Sequence, residues 1–352
     1  MSERQPTLPE LGWTHFFQQQ LSIEERQSAE PVRVFALNRH LVDGVGACGR
    51  RQFSLPAAWL NFPLENLPTV GDWVLVDGAG QPLRVLQRTS LFKRMASGRE
   101  ARVQLMAANV DTLFIITSCN QEFNLSRLER YLALALDAGV EPVVVLTKAD
   151  LADRVDTFSA QAATLHADLA VVALDARKTA VSAILAPWLE PGRTVALVGS
   201  SGVGKSTLVN TLSDRSVQET ASVRDGDAKG RHTTTGRSLH LLPGGGLLLD
   251  SPGLRELQLS DCGAGVATLF EEIETVARDC RFGDCRHLGE MGCAVAQAAE
   301  RGELDPRRLD NYLKLRAEQE RSEETLVEKR RREKNFGKLC KRAKTQKRSE
   351  TE

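Results

Sequence analysis

No apolar run in the 352 residues approaches the roughly 18 to 20 that a bilayer-spanning helix needs, so a membrane protein is not expected. The opening MSERQPTLPELGW lacks the apolar core of a secretory leader, and export is not indicated. Cysteine is present in an odd number, seven, which together with the missing leader argues against a disulfide framework and for a reducing, cytoplasmic setting. Net charge is missing too, at 46 Lys and Arg against 46 Asp and Glu, but the balance is uneven. Residues 329–352 hold 11 basic and 3 acidic residues, so the rest of the chain carries 35 against 43. What is there is ordinary: 41% hydrophobic and 26% charged residues speak against wholesale disorder, and the length suggests two or three domains.

Five segments follow from the pattern. Residues 1–30 read as a polar arm with a short helix around Leu11–Leu21. Residues 31–100 carry short β-type runs, VRVFAL (32–37), the GVGACG stretch (44–49), DWVLVD (72–77) and LRVL (83–86), with 9 basic and 5 acidic residues. Small size, basic charge and interspersed aromatics fit an oligonucleotide-binding (OB) type β-barrel, although the aromatics would equally fill its core. Residues 101–256 alternate strands (110–118, 143–146, 170–174, 194–199) with helices (125–139, 181–189), the pattern of an α/β domain with a parallel sheet. Residues 257–328 form a helical segment with 9 basic and 16 acidic residues, and 329–352 a basic tail that is expected to be disordered.

The run Gly199-Ser200-Ser201-Gly202-Val203-Gly204-Lys205-Ser206 satisfies G-x-x-x-x-G-K-[ST] between an apolar strand and a helix, with Thr207 next in the helix. Its glycines let backbone N–H groups converge on phosphate oxygens, Lys205 would reach the outer phosphates, and the Ser206 hydroxyl would ligate magnesium. This is a nucleoside triphosphate site. Thr147-Lys148-Ala149-Asp150, after a strand, resembles the N-K-x-D guanine reader with Thr in place of Asn. The Asp150 carboxylate can accept from guanine N1–H and N2–H, a pattern adenine lacks, and the Thr147 hydroxyl could do part of the work of Asn in tying the two loops. Asp175-Ala176 is a loose match to the loop that backs the base. Asp250-Ser251-Pro252-Gly253 matches D-x-x-G, with Asp250 at the magnesium shell and Gly253 sensing the γ-phosphate. Gly230-Arg231-His232-Thr233-Thr234-Thr235 is a candidate first switch in which one Thr would meet magnesium, Thr234 being favoured and its neighbours Thr233 and Thr235 the alternatives. Leu254 stands where many GTPases place a water-orienting Gln, and His232 is the candidate replacement, with a plain loop histidine as its alternative. The base reader precedes the phosphate loop, so the domain is circularly permuted.

Cys280, Cys285, His287 and Cys293 fall within 14 positions and match a Cys3His tetrahedral zinc site. Four protein ligands leave no open position, so the zinc is structural. Reduced free cysteines are the alternative.

The permuted order, GSSGVGKSTLVN, GRHTTT, DSPGLREL and CRFGDCRHLGEMGCAV together resemble the ribosome-small-subunit-dependent GTPase A family of bacteria, over nearly the whole chain. The resemblance implies an OB barrel, a permuted GTPase domain and a C-terminal zinc domain, working with GTP/GDP and magnesium. It also implies a late role in small-subunit maturation, binding rRNA, with GTPase activity stimulated by the small ribosomal subunit. A monomer with no membrane partner is expected. The rival readings are a P-loop ATPase and an RNA-binding protein unconnected to the ribosome. The basic tail is expected to gain phosphate contacts on docking, with an idle solvated tail as the alternative.

Overall fold

The computed structural model describes residues 5–38, 41–96, 102–213, 237–250 and 262–323. The chain enters through a 3-10 turn, Pro9–Leu11, and two short helices, α1 (His15–Gln18) and α2 (Ile23–Ser28). Ser22 and Glu25 close a capping box on α2, which satisfies two of its otherwise unpaired N–H groups. Five strands follow: β1 (Ala29–Asn38), β2 (Leu41–Gly46), β3 (Gly49–Ser54), β4 (Trp73–Asp77) and β5 (Pro82–Val85). β1 pairs antiparallel with β2 and β4, β2 with β3, and β4 with β5. Among the described residues no ladder closes β3 on β5, so the small sheet has the partly open form of an OB-type barrel.

Two sequence expectations change here. GVGACG is not one run: β2 ends at Gly46, and Gly49 starts β3 with φ +93°, a turn conformation that glycine adopts without strain. The N-terminal arm is not a polar appendage. β4 is apolar on both faces, and its period of two sends Val74 and Val76 into a core with Val32, Val34, Val42, Phe53 and Trp59. Trp73 and Leu75 go to the other face, where Leu11, Phe17 and Leu21 of the arm cover them. Trp13 meets Trp73 edge-on at 4.9 Å. A barrel buried on both faces needs that cover.

A separate hairpin, β6 (Leu91–Ala96) with β7 (Arg102–Ala108), spans residue 100, where the sequence pattern divides barrel from α/β domain. The α/β part then runs β8 (Thr112–Ser118), α3 (Leu125–Asp137), β9 (Glu141–Thr147), α4 (Val155–Ala163), β10 (Ala170–Ala173), α5 (Val181–Leu185), β11 (Thr194–Val198), α6 (Lys205–Ser213), β12 (Ser238–Leu241) and β13 (Leu247–Asp250). The helix read at 125–139 is α3: Asn124 caps its N-terminus by accepting from Arg127 N–H, and Gly139 follows its end with φ +68°.

Strand order is β10-β9-β8-β11-β13-β12, with β12 alone antiparallel to its neighbour in that run, so the sheet is mixed. Side-chain alternation again feeds two cores. Leu113, Ile115, Val144, Leu146, Ala196 and Val198 face one layer, and Phe114, Ile116, Val143, Val145, Val195 and Leu197 the other. β12 also touches β1 through Ala36 and Ser238, which joins barrel and α/β sheet into one surface. The described C-terminal residues are helical: α7 (Gly263–Leu269), α8 (Glu271–Ala277), α9 (Ala294–Glu300) and α10 (Pro306–Glu323). Their Val266, Leu269, Phe270, Tyr312 and Leu315 share a single core with α3 and the first face of the sheet. Among the described residues no helix is long and apolar enough to cross a membrane.

Candidate nucleotide site and metal centre

The sequence-predicted loops gather at one edge of the sheet. β9, β10, β11 and β13 are parallel, and the segments that carry Thr147 to Asp150, Asp175, Gly199 to Ser206 and Asp250 all lie at their carboxyl ends. That edge is where open α/β sheets bind ligands. Gly199 is fixed there by sterics: with φ +145°, a Cβ would lie 2.2 Å from the Ile116 carbonyl oxygen of β8. Gly202 and Gly204 also hold positive φ, at +78° and +98°, so the loop curls in a way that L side chains resist. Lys205 starts α6 and is buried. Its Nζ donates to the Gly199 carbonyl at 2.8 Å and to the Ser200 carbonyl, so the ammonium lies across the inside of the loop. Ser206 is half-buried in the first turn of α6, and Asp250 is half-buried at the end of β13, the strand beside β11.

Thr147 makes the link expected of it. Its buried hydroxyl donates to the carbonyl of Val203 in the phosphate loop and lies 3.2 Å from the Thr117 carbonyl. It also faces Gly204, whose hypothetical Cβ would sit 3.5 Å from Thr147 Oγ1. Lys148 takes a left-handed φ of +57°, which turns the chain sharply before the 3-10 turn Ala149–Leu151. Asp150 and Asp175 are bridged by one residue that the sequence reading missed. Arg177 Nη2 donates to Asp150 Oδ2 at 2.8 Å, and Arg177 also holds both oxygens of Asp175 at 2.9 and 3.0 Å. The side-chain hydrogen bond from Arg177, with its backbone N–H next, holds the Asp175 carboxyl below the usual carboxylate range. The Ala176 carbonyl accepts from Thr211 of α6, which fastens the same loop to the phosphate-loop helix.

His232, Thr234 and Gly253 lie outside the described residues, as does the tail at 329–352.

The four metal-ligand candidates do converge. Their ligand atoms all lie within 4.8 Å of one another. Cys280 Sγ is 4.0 Å from Cys293 Sγ, and His287 Nδ1 is 3.6 Å from Cys280 Sγ and 3.5 Å from Cys293 Sγ. A tetrahedral zinc with the usual bond lengths has S···S edges of about 3.8 Å and S···N edges of about 3.6 Å. The three edges among Cys280, His287 and Cys293 fit that polyhedron, with Nδ1 the ring nitrogen turned toward both sulfurs, and Cys285 Sγ lies within 4.8 Å of the other three ligand atoms. Burial, helped by Arg316, lowers the His287 pKa and favours the neutral ring that metal binding needs. The turn is tight enough to put His287 at φ +61°. Glu290, a second residue missed in the sequence, braces it by accepting from Arg286 N–H and Leu288 N–H and lying 3.6 Å from Cys285 Sγ. Cys293 also caps α9, accepting from Ala296 N–H.

Residues 85–260 match the family model described as RsgA GTPase. A curated relative from Vibrio vulnificus (strain CMCP6), small ribosomal subunit biogenesis GTPase RsgA 2, is 49% identical over 340 residues, 96% of either chain. The corresponding protein of Mesorhizobium japonicum is 49% identical over 316 residues, 88% of this chain and 89% of its own. Among solved structures, YjeQ from Thermotoga maritima superposes with a TM-score of 0.57 at 26% identity, over 82% of this chain and 97% of its own. YloQ, described as a circularly permuted GTPase, gives a TM-score of 0.57 at 22% identity, over 86% of this chain and 99% of its own, and so shares the fold. With the loop at 147–150 ahead of the loop at 199–206 and the two tied by Thr147, this chain belongs to the RsgA GTPase family.

Proposed function

We propose that this protein is a GTPase of small-ribosomal-subunit biogenesis, which binds rRNA on the immature subunit and leaves it when GTP is hydrolysed. The observation that carries the nucleotide reading is the Thr147 hydroxyl on the Val203 carbonyl, which sets the guanine reader and the phosphate loop in one frame. Ser200, Ser201, Val203 and the three loop glycines line the phosphates, Lys205 neutralises them, and Lys148 and Ala149 border the base that Asp150 reads. Ser206, Thr234 and Asp250 hold magnesium, which supplies charge neutralisation at the phosphates. Gly253 follows the γ-phosphate, and His232 orients the attacking water in place of the Gln that Leu254 displaces. Cys280, Cys285, His287 and Cys293 hold one structural zinc ion. The barrel and the basic tail are the rRNA-facing ends, and the protein works as a cytoplasmic monomer.

Turnover and co-sedimentation with purified small subunits test this reading. Bound GTP analogue should give tight subunit binding, GDP weak binding, and subunits should raise GTP turnover. Equal affinity in both nucleotide states would remove hydrolysis as the release signal, because a ligand shifts only what it binds differentially. ATP competing as well as GTP would overturn the guanine reading. Turnover that is unchanged in His232→Ala would remove His232 from the mechanism.

A further inference from the structure

Helix α3 carries three contacts, within one turn, that point in two directions. At its first turn, Arg127 Nη1 donates to the Ser200 hydroxyl in the phosphate loop and lies 3.3 Å from Glu122. Two residues on, the Glu129 carboxylate is completely buried and accepts from Arg307 at 2.8 and 3.0 Å, Arg308 at 3.2 Å and Asn311 at 2.5 Å, all on α10. Arg130 forms a two-pronged pair with Glu318, also on α10. Farther along, Gly265 of α7 lies so close that a Cβ there would sit 2.0 Å from the Ala133 carbonyl. A buried carboxylate with four donors leaves no slack between α3 and α10, and the contact without room for a methyl group leaves none between α3 and α7, so the three helices move together.

The loop end is the movable one. Gly199 is wedged against β8, so freedom in the phosphate loop begins at Ser200. The Ser200 carbonyl accepts from Lys205 and its hydroxyl from Arg127. Phosphates in the loop draw the Lys205 ammonium off both carbonyls, and they present a negative charge beside the Arg127 guanidinium. Ser200 and Arg127 therefore change partners together.

We infer that α3 couples the phosphate loop to the C-terminal helices, with Arg127 as the positioning residue at the nucleotide end. The coupling rests on the reading that residues 199–206 hold phosphates, and it is separate from any route through the second switch. It runs both ways, so whatever grips the C-terminal helices alters nucleotide affinity by the same factor.

The test is amide hydrogen exchange on the full-length protein with and without saturating GDP and magnesium, with GDP affinity titrated on the same preparations. In the wild type, GDP should slow exchange across 306–323 by about fivefold or more. Arg127→Gln should bind GDP yet lose that response, and Arg127→Lys, which restores one charged donor to Ser200, should recover it. Paired Arg130→Gln and Glu318→Gln changes, which remove one of the two α3–α10 links and leave the Glu129 cluster and the loop intact, should weaken the response without abolishing it. A full α10 response in GDP-bound Arg127→Gln would overturn the inference, as would wild-type protein that binds GDP with no response in α10. Failure of the wild type to bind GDP at all would instead overturn the phosphate-loop reading beneath it.

Discussion

The Thr147 hydroxyl reaches the Val203 carbonyl because β9 ends close enough for a short side chain to span the gap. Thr147→Val keeps the shape but strands that carbonyl. A hydrogen bond worth about 0.5–1.5 kcal/mol should be lost, which weakens GDP binding by roughly two- to twelvefold in a fluorescence titration. Asp150→Asn should weaken it further while leaving ADP binding unchanged, since only guanine uses the missing acceptor. A residue far from the nucleotide sets an acid dependence. The Arg84 side chain, with Ser22 N–H second, holds the Glu25 carboxyl down at about 2, below its ordinary 4.5. The folded state thus gains from ionised Glu25 above about pH 4.5 and loses that gain as pH falls toward 2. Glu25→Gln should cost about 1 kcal/mol or less at pH 7, as exposed pairs do. The gap from wild type in urea unfolding should shrink between pH 4.5 and 3.

At the scale of elements, the metal loop and α9 are one unit, because Cys293 both completes the Cys3His set and caps the helix. Cys293→Ala removes ligand and cap together. It should destabilise the zinc-loaded protein by about 1 kcal/mol more than Cys285→Ala, measured by denaturant unfolding. Stripping zinc with a chelator should lower helical ellipticity, with exchange rising first in 280–300. Elements were legible where their chemistry is contiguous. The phosphate loop occupies eight successive residues and the metal set fourteen, and α3 showed a capping Asn, apolar periodicity and a terminal Gly. What stayed hidden was long-range pairing: Arg127 and Ser200 are 73 residues apart, Glu129 and Arg307 178 apart. Nothing local marks such an arginine as different from a solvated one. Strand β12 and the hairpin β6–β7 also escaped, because four- to seven-residue runs with mixed polarity carry little periodic signal.

Across the whole molecule, barrel and α/β sheet meet at a buried cation. Arg33 of β1 is 1% exposed; its Nη2 donates to the Asn109 carbonyl at 2.9 Å and to the Thr194 hydroxyl at 3.2 Å, at the start of the strand that leads to the phosphate loop. Burial lowers its pKa to about 10, yet it stays charged at neutral pH between the Asp111 and Asp72 fields. Arg33→Met should cost about 1–3 kcal/mol by leaving two buried acceptors unpaired, and should loosen the barrel against the sheet in limited proteolysis. The permuted sheet order also sets a timetable for the growing chain. β8, β9 and β10 come from a continuous stretch, 112–173, and can pair as they emerge. The other edge of β8, with Leu113 to Ile116, stays open until β11 is synthesised at 194–198. An open apolar edge invites the wrong partner, so the nascent protein passes through a sticky interval of its own. The strands that carry Thr147 and Asp175 are thus paired and waiting before the loop at 199–206 exists.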